Sequence, residues 1–434
     1  MNTALAQAPV DLPEHIAAAI VDHKHYANVD GLCETYAWMR ANNPLGRLNH
    51  PAFHPFWVVT KHADVMAISR DNALFTNGAY SPTCAPQAYL DHVLATQGTR
   101  HPIKSLIHVD GAEHKELRGL TQAWFMPNSI LKLDERIKQL AQTSVDKLSS
   151  LSAQGQVVDF VNDVALYYPL HVIMDILGVP PEDELRMLKL TQELFGAEDP
   201  DLKRQSAAVS PEERAKVMME VVGDFRNYFN ALTEARRQDP RNDIATLLAN
   251  GTVAGQPLDP LQLLGYYMIV ATAGHDTTSS TATMAMHALA TQPGLLQRLK
   301  DDPKLIPAFI DEAIRVATPV RHFMRTAMAD TEIRGRTIRE GDWLMLCYLS
   351  ANRDEDVFAN PNVFDIDRKP NRHLAFGFGG HVCLGQHLAK MELRILFEAL
   401  IPRLQSVSLA GEMRMTATLF VGGPKTLPLH CVVS

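Results

Sequence analysis

The chain has 434 residues, 46% of them hydrophobic and 21% charged, with a formal net charge of −8. That composition can bury a large core and excludes wholesale disorder, and its acidic balance argues against generic nucleic-acid binding. Five cysteines scattered along so long a chain suit a reducing compartment, and no pair has the short spacing that marks a zinc site.

The stretch from Met1 to Val10 has no basic region and no sustained apolar run. Neither a signal peptide nor a membrane anchor is therefore expected, and the expected location is cytoplasmic. Residues 1–15 are expected to be flexible. Length alone leaves the domain count open, because a large helical enzyme can be built round one cofactor. Phe56–Thr60 predicts a short strand and His62–Arg70 a helix. Thr76 to Ser105 shows Gly, Pro, Ser and Tyr without periodicity, which reads as a long loop able to cover a substrate.

His114 and Arg118, four apart, share one helix face, an arrangement that on spacing alone also describes a solvated polar face. From Asn128 to Gln238 the sequence predicts a series of helices broken at Gly178-Val179-Pro180-Pro181 and at Ser210-Pro211. Polar connections such as Glu198-Asp199-Pro200 join them, and no motif of chemistry is present.

Asp259-Pro260 is a helix start, with an N-cap carboxylate and proline at the first position, and Pro293-Gly294 is a stop. Between them the sequence predicts one helix on the order of 45 Å long. Its middle, Ala273-Gly274-His275-Asp276-Thr277-Thr278-Ser279-Ser280-Thr281, is poor in helix formers. Thr277 can bond back to the Ala273 carbonyl and open the ladder, while Gly274 removes a side chain from the same face, leaving a groove for a small ligand. His275, about 100° round the helix from Gly274, reads as structural. Glu312 and Arg315 can pair on one helix face, a signal that is weak alone, and Trp343–Leu346 reads as a strand.

Phe376-Gly377-Phe378-Gly379-Gly380-His381-Val382-Cys383-Leu384-Gly385 then places one cysteine just ahead of an amphipathic helix in which Leu388, Met391 and Ile395 are the apolar stripe. Unpaired N–H groups and the helix dipole favour a thiolate at Cys383. Gly379 and Gly385 can take positive φ or let the backbone approach a flat ligand. A lone cysteine is ordinarily an inert buried hydrophobe, so its neighbours carry the reading.

Phe376, Gly379, His381, Cys383 and Gly385 form F-x-x-G-x-H-x-C-x-G, which resembles the haem-ligand signature of the cytochrome P450 superfamily. The resemblance implies a mainly α fold with small β-sheets (α+β), residues 1–434 as one domain, and haem b (iron protoporphyrin IX) between the long central helix and the cysteine loop. Cys383 would be the axial thiolate. Gly274, Asp276 and Thr277 resemble the oxygen-activation motif, with Asp276 and Thr277 as the acid–alcohol pair. Glu312, Arg315 and Arg368 resemble the E-x-x-R network that holds the cysteine loop. His114, Arg118, Arg325 and His373 match the propionate-binding positions.

A soluble bacterial monooxygenase is implied, drawing electrons from NAD(P)H through a reductase and a [2Fe-2S] ferredoxin that docks near Lys115, Lys390 and Arg394, and acting as a monomer without a membrane. Segments 271–280, 385–390 and 420–425 resemble the terpineol-hydroxylating branch, which implies a monoterpenoid or alkyl-aromatic substrate in a pocket lined by Val270, Ala273, Val320, Phe323, Met324, Leu419 and Phe420. Arg321 and His322 are expected at the haem edge or in solvent. A peroxide-using haem-thiolate enzyme and a haem-binding gas sensor are the alternatives, and neither needs the acid–alcohol pair.

Overall fold

The computed structural model describes residues 10–204 and 211–434. Helices carry most of the chain, and strands come in small sheets. The largest sheet has five strands in the order Leu45–Leu48, Phe56–Val59, Trp343–Cys347, His322–Ala327, Phe75–Thr76. Phe56–Val59 and Trp343–Cys347 run parallel and the other neighbours antiparallel. Every residue of these two central strands is buried, which is why both read as unbroken apolar runs rather than alternating ones.

The strand expected at Phe56 and the helix His62–Arg70 are both present. Residues 1–9 of the expected flexible start lie outside the described residues. The rest of that segment is anchored: Asp11 bridges to Arg47, Leu12 and Ile16 are buried, and a helix runs from Glu14 to Val21. Of the two expected breaks, Gly178 ends helix Tyr167–Leu177 at φ 90°, a left-handed stop, whereas Ser210 lies outside the described residues.

Thr76–Ser105 is not a structureless loop. It contains the helix Gln87–Gln97, ended by Gly98 at φ 67°; only Leu90 and Val93 of that helix are buried, too thin a stripe to register as a period. The stretch then lies down on the central helix, where the Lys104 N–H donates to the Leu261 carbonyl at 3.0 Å. A Cβ on Gly265 would collide with the Lys104 backbone, so this glycine lets two backbones touch.

The central helix is two pieces, Pro260–Ala273 and His275–Thr291, with the ladder interrupted at Gly274. Asp259 and Gln262 form the capping box at its start. Thr277 Oγ1 donates to the Ala273 carbonyl at 2.8 Å, the back-bond that competes with a regular ladder. Around these pieces the main apolar core joins helices Tyr167–Leu177, Ile306–Ala317 and Gln386–Leu400, with Phe309 and Phe397 packed edge to face at 5.3 Å. The central pieces and the start of Gln386–Leu400 thus face each other across one cavity.

Candidate active site

The cysteine loop folds back on itself before the helix begins. The Cys383 N–H donates to the Phe376 carbonyl at 2.8 Å, the Gly377 N–H to Leu374 at 2.8 Å, and Gly377 takes φ 71°. Of the five cysteines, all free, only Cys383 is not buried by protein. The surface it shows belongs to a cavity of about 470 Å³. Enclosure raises its thiol pKa, while the N–H groups of Gly385 and Gln386 and the charge of Arg118 pull the other way. Burial thus opposes the thiolate that the helix start favours.

The two expected glycines separate. Gly379, at φ 75°, would drive a Cβ into the Ser69 carbonyl; it seats the loop against helix His62–Arg70 and does not line the cavity. Gly385 does line it, at φ −87°. The cavity-wall position that needs a left-handed backbone is Gly377.

One edge of the cavity is cationic. His114 and Arg118 reach it from helix Gly111–Gln122, Arg325 from strand His322–Ala327, and His381 from the cysteine loop. The two imidazoles lie 4.1 Å apart between centroids. His381 Nε2 sits 3.2 Å from Asp110 Oδ1, and that carboxylate also accepts from the Asn77 and Gly78 N–H groups. Burial works against ionised Asp110, yet His381 and these N–H groups hold its carboxyl below the usual range. Burial pushes His114 down to about 4, with the charges of His381 and Arg118 adding to the effect.

Arg325 is 2% exposed; one nitrogen donates to the Met324 carbonyl, but its Nε has no partner among the described residues, nor does His114 Nε2. A buried guanidinium with an unmatched N–H is costly unless an anion meets it. The donors along this edge, with a thiol facing the same space, fit a flat, anionic, iron-bearing ligand.

His373 is not part of this edge. It lies outside the cavity wall, its ring 5.9 Å from Phe376, with burial and the Lys390 charge lowering its pKa to about 4. The turn at Leu374–Gly377 separates it from the segment that faces inward, and the histidine of this stretch on the cavity wall is His381.

On the opposite wall Val270, Ala273, Gly274, Thr277, Val320, Phe323 and Phe420 all line the cavity, as expected. Met324 and Leu419 do not. In a strand, neighbours point to opposite faces, so Phe323 and Arg325 turn inward while Met324 packs with Trp343 and Leu419 in a separate core cluster. Arg321 and His322 are also buried in protein: Arg321 donates to the Ala317 and Thr318 carbonyls, and His322 bridges the Leu419 carbonyl and the Cys84 N–H. A Cβ on Gly274 would meet Ile173 at 3.4 Å, ordinary contact distance, so the groove owes less to this glycine than expected.

Sequence reasoning missed Ile173, Leu194, Phe195, Met218 and Val222, which bring walls from the helices without motifs. They carry only the apolar periodicity of any packed helix. Glu392 was missed as well; it is buried against the cavity, burial pushes its carboxyl well above the usual range, and its Oε2 has no partner among the described residues.

Asp276 and Thr277 part company. Thr277 opens on the main cavity, whereas Asp276 lines a second cavity of about 60 Å³ with Ser279, Ser280 and Lys425. The expected ion pair at Glu312 is not a surface one. Glu312 and Arg315 are fully buried, Arg368 Nε reaches Glu312 at 3.2 Å, and Asn371 Nδ2 and the Asp365 N–H also bind that carboxylate. Arg315 and Arg368 both donate to the Val363 carbonyl, so the network ties helix Ile306–Ala317 to the segment that leads into the cysteine loop.

The family model "Cytochrome P450" matches residues 83–417. The chain is 47% identical to Cytochrome P450-terp of Pseudomonas sp over 427 residues, covering 98% of this chain and 99% of that one. It is 32% identical to Linalool 8-monooxygenase of Pseudomonas putida, covering 86% and 88%. The crystal structure of CYP108D1 from Novosphingobium aromaticivorans DSM12444 superposes with a TM-score of 0.89 at 41% identity, covering 98% of this chain and all of that one. The chain therefore belongs to the cytochrome P450 family. It is an oxidoreductase of the monooxygenase type, and the family implies a haem-thiolate cofactor, dioxygen, an organic substrate and a redox partner. Among the described residues no helix is long and apolar enough to cross a membrane.

Proposed function

We propose that this enzyme hydroxylates a small hydrophobic molecule, a monoterpenoid or an alkyl-aromatic hydrocarbon, in a single domain built round haem b. The observation that carries the reading is Cys383 facing, across one cavity, a helix broken beside Thr277. The cofactor supplies activation of dioxygen at iron and insertion of one oxygen atom into a C–H bond. Cys383 would bind the iron through its thiolate, and Arg118, Arg325, His114 and His381 would hold the propionates. Thr277, on the cavity wall across from Cys383, would position a proton donor for the bound oxygen, with Asp276 behind it as the acid.

The substrate side of the cavity is apolar, with Val270, Val320, Phe323 and Phe420 among its walls. Water-excluding burial of such surface contributes about 25 cal/mol per Å², which favours a hydrocarbon body over a sugar or an acid. The names of the two relatives above support a terpenoid.

A [2Fe-2S] ferredoxin, charged by a reductase from NAD(P)H, is the proposed electron donor. Two of the three basic residues expected at its docking face are already paired, Lys390 with Asp311 at 2.7 Å and Arg394 with Glu398 at 2.8 Å. Lys115 is exposed and is the stronger candidate contact.

Binding constants from the haem spin-state shift test the substrate class. A terpene alcohol or an alkylbenzene is expected to bind tighter than a long-chain fatty acid or a steroid; the reverse order contradicts the pocket reading. Turnover that needs oxygen and NADH supports the monooxygenase over a peroxide-only enzyme or a sensor.

A further inference from the structure

His275 is completely buried, and its Nε2 lies 3.0 Å from the Leu166 carbonyl. A carbonyl only accepts, so Nε2 carries a hydrogen and, in a neutral ring, Nδ1 is left with a lone pair. That lone pair lies 3.0 Å from Asp276 Oδ1. A neutral His275 beside an ionised Asp276 would set two acceptors against each other on the wholly enclosed side of the carboxylate. One proton, on either atom, turns the repulsion into attraction. The contact is too bent to count as a formed hydrogen bond, so Asp276 is close to His275 without being locked to it.

The other side of Asp276 is the second cavity. Its polar lining includes Asn162, Gln192, Ser279, Ser280, Thr416 and Lys425, and at about 60 Å³ it is large and polar enough for water. Lys425 of that lining lies 2.9 Å from fully buried Asp199 and 2.8 Å from Asp201, whose side chain is 48% exposed. Among the described residues, the charged groups gathered there are Asp276, Lys425, Asp199, Asp201 and Arg414, the last 2.6 Å from Asp201. Asp276 thus faces a polar space that Thr277 does not line, and that space is tied through Lys425 to half-exposed Asp201.

We infer that His275 and Asp276 jointly hold one proton, reloaded through the second cavity, and that His275 is the positioning residue that keeps Asp276 a proton donor for the Thr277 side. The inference rests on the monooxygenase reading given above. When Asp276 gives its proton toward Thr277, the pair is left with a neutral His275 and an ionised Asp276, the repulsive arrangement. It regains one proton from water in the second cavity, which in turn takes one from solvent. No electron moves in either step.

Nitrogen NMR of the ¹⁵N-histidine-labelled ferrous carbonmonoxy holoenzyme tests the proton directly. The His275 signals are assigned by their loss in His275→Gln. An Nδ1 shift characteristic of a protonated or strongly hydrogen-bonded nitrogen, changed by Asp276→Asn, is the expected result. An Nδ1 with a free lone pair, unmoved by Asp276→Asn, overturns the inference.

His275→Gln also separates tether from proton store, because the Gln amide can still donate to Leu166 but cannot share a proton with Asp276. The variant is expected to keep the thiolate-type carbonmonoxy band and the substrate spin shift. Product formed per NADH should fall on the order of tenfold, with a larger solvent isotope effect. Unchanged coupling and isotope effect overturn the role of His275. Loss of the thiolate band in the unmodified enzyme would instead sink the haem-thiolate reading, so the two failures are distinct.

Discussion

Arg315 grips Glu312 with two parallel bonds, Nε to Oε2 at 2.8 Å and Nη2 to Oε1 at 2.6 Å, and neither side chain has any exposed surface. A pair at this spacing on an exposed helix is worth only about 0.3–0.5 kcal/mol. Burial changes the consequence of breaking it, because the surviving charge is left in the interior. Arg315→Leu takes from the Glu312 carboxylate its two shortest bonds and its wholly buried counter-charge, leaving Arg368 at 3.2 Å as the remaining cation, and releases the Asn352 and Pro361 carbonyls. The expected loss is about 3–5 kcal/mol of unfolding free energy, read from urea melts of the holoprotein. A loss below about 1 kcal/mol, the range of an exposed pair, would contradict the network's role.

Thr277→Ala removes the hydroxyl that both back-bonds to Ala273 and faces the cavity. Haem content and the substrate spin shift should be unchanged. Proton delivery should suffer, so NADH consumption continues while product per NADH drops on the order of tenfold and hydrogen peroxide appears. Unaltered coupling would remove Thr277 from the proton path.

Arg325→Leu deletes a buried cation whose Nε has no partner among the described residues. If that nitrogen serves a haem propionate, about 1.5–3 kcal/mol of charge-assisted hydrogen bonding is lost with it. Haem transfer to a scavenging protein should then accelerate by roughly tenfold to a hundredfold. Unchanged haem retention would mean that the guanidinium has another role.

His322 predicts an acid limit on stability. Both ring nitrogens serve the neutral form, Nδ1 donating to Leu419 and Nε2 accepting from Cys84, and burial holds its pKa down to about 4 against the ordinary 6.5. Above pH 6.5 the ring is neutral folded or unfolded, and the full stability is present. Between 6.5 and about 4 only the unfolded chain takes up the proton, so stability falls by up to roughly 3 kcal/mol from this group. His322→Asn should flatten that part of the pH–stability curve, and an unchanged slope would contradict the assignment.

What the sequence conveyed well was chemistry carried by local pattern. The glycine-punctuated cysteine loop, the weak helix centre at Gly274–Thr277 and the strand at Phe56 each advertise themselves through residue types at fixed spacing. Facing directions were less legible. Met324 and Phe323 are equally apolar, and only the strand's alternation against its neighbours sends one to the core and the other to the cavity. His373 and His381 both precede the cysteine in one glycine-rich stretch, yet the turn at Leu374–Gly377 leaves only His381 on the cavity wall. Least legible were the walls at Ile173, Met218 and Val222, because a helix lining a cavity and a helix packed on a core share the same periodicity.

The carbon monoxide spectrum of the reduced protein, before and after Cys383→Ser, tests the central claim most directly. The account predicts a strongly red-shifted, thiolate-type Soret band in the unmodified enzyme that disappears in the variant together with monooxygenase turnover, because an alcohol cannot donate electron density to iron as a thiolate does. A Soret band at the unshifted position in the unmodified enzyme, or a thiolate-type band that survives the substitution, would contradict it.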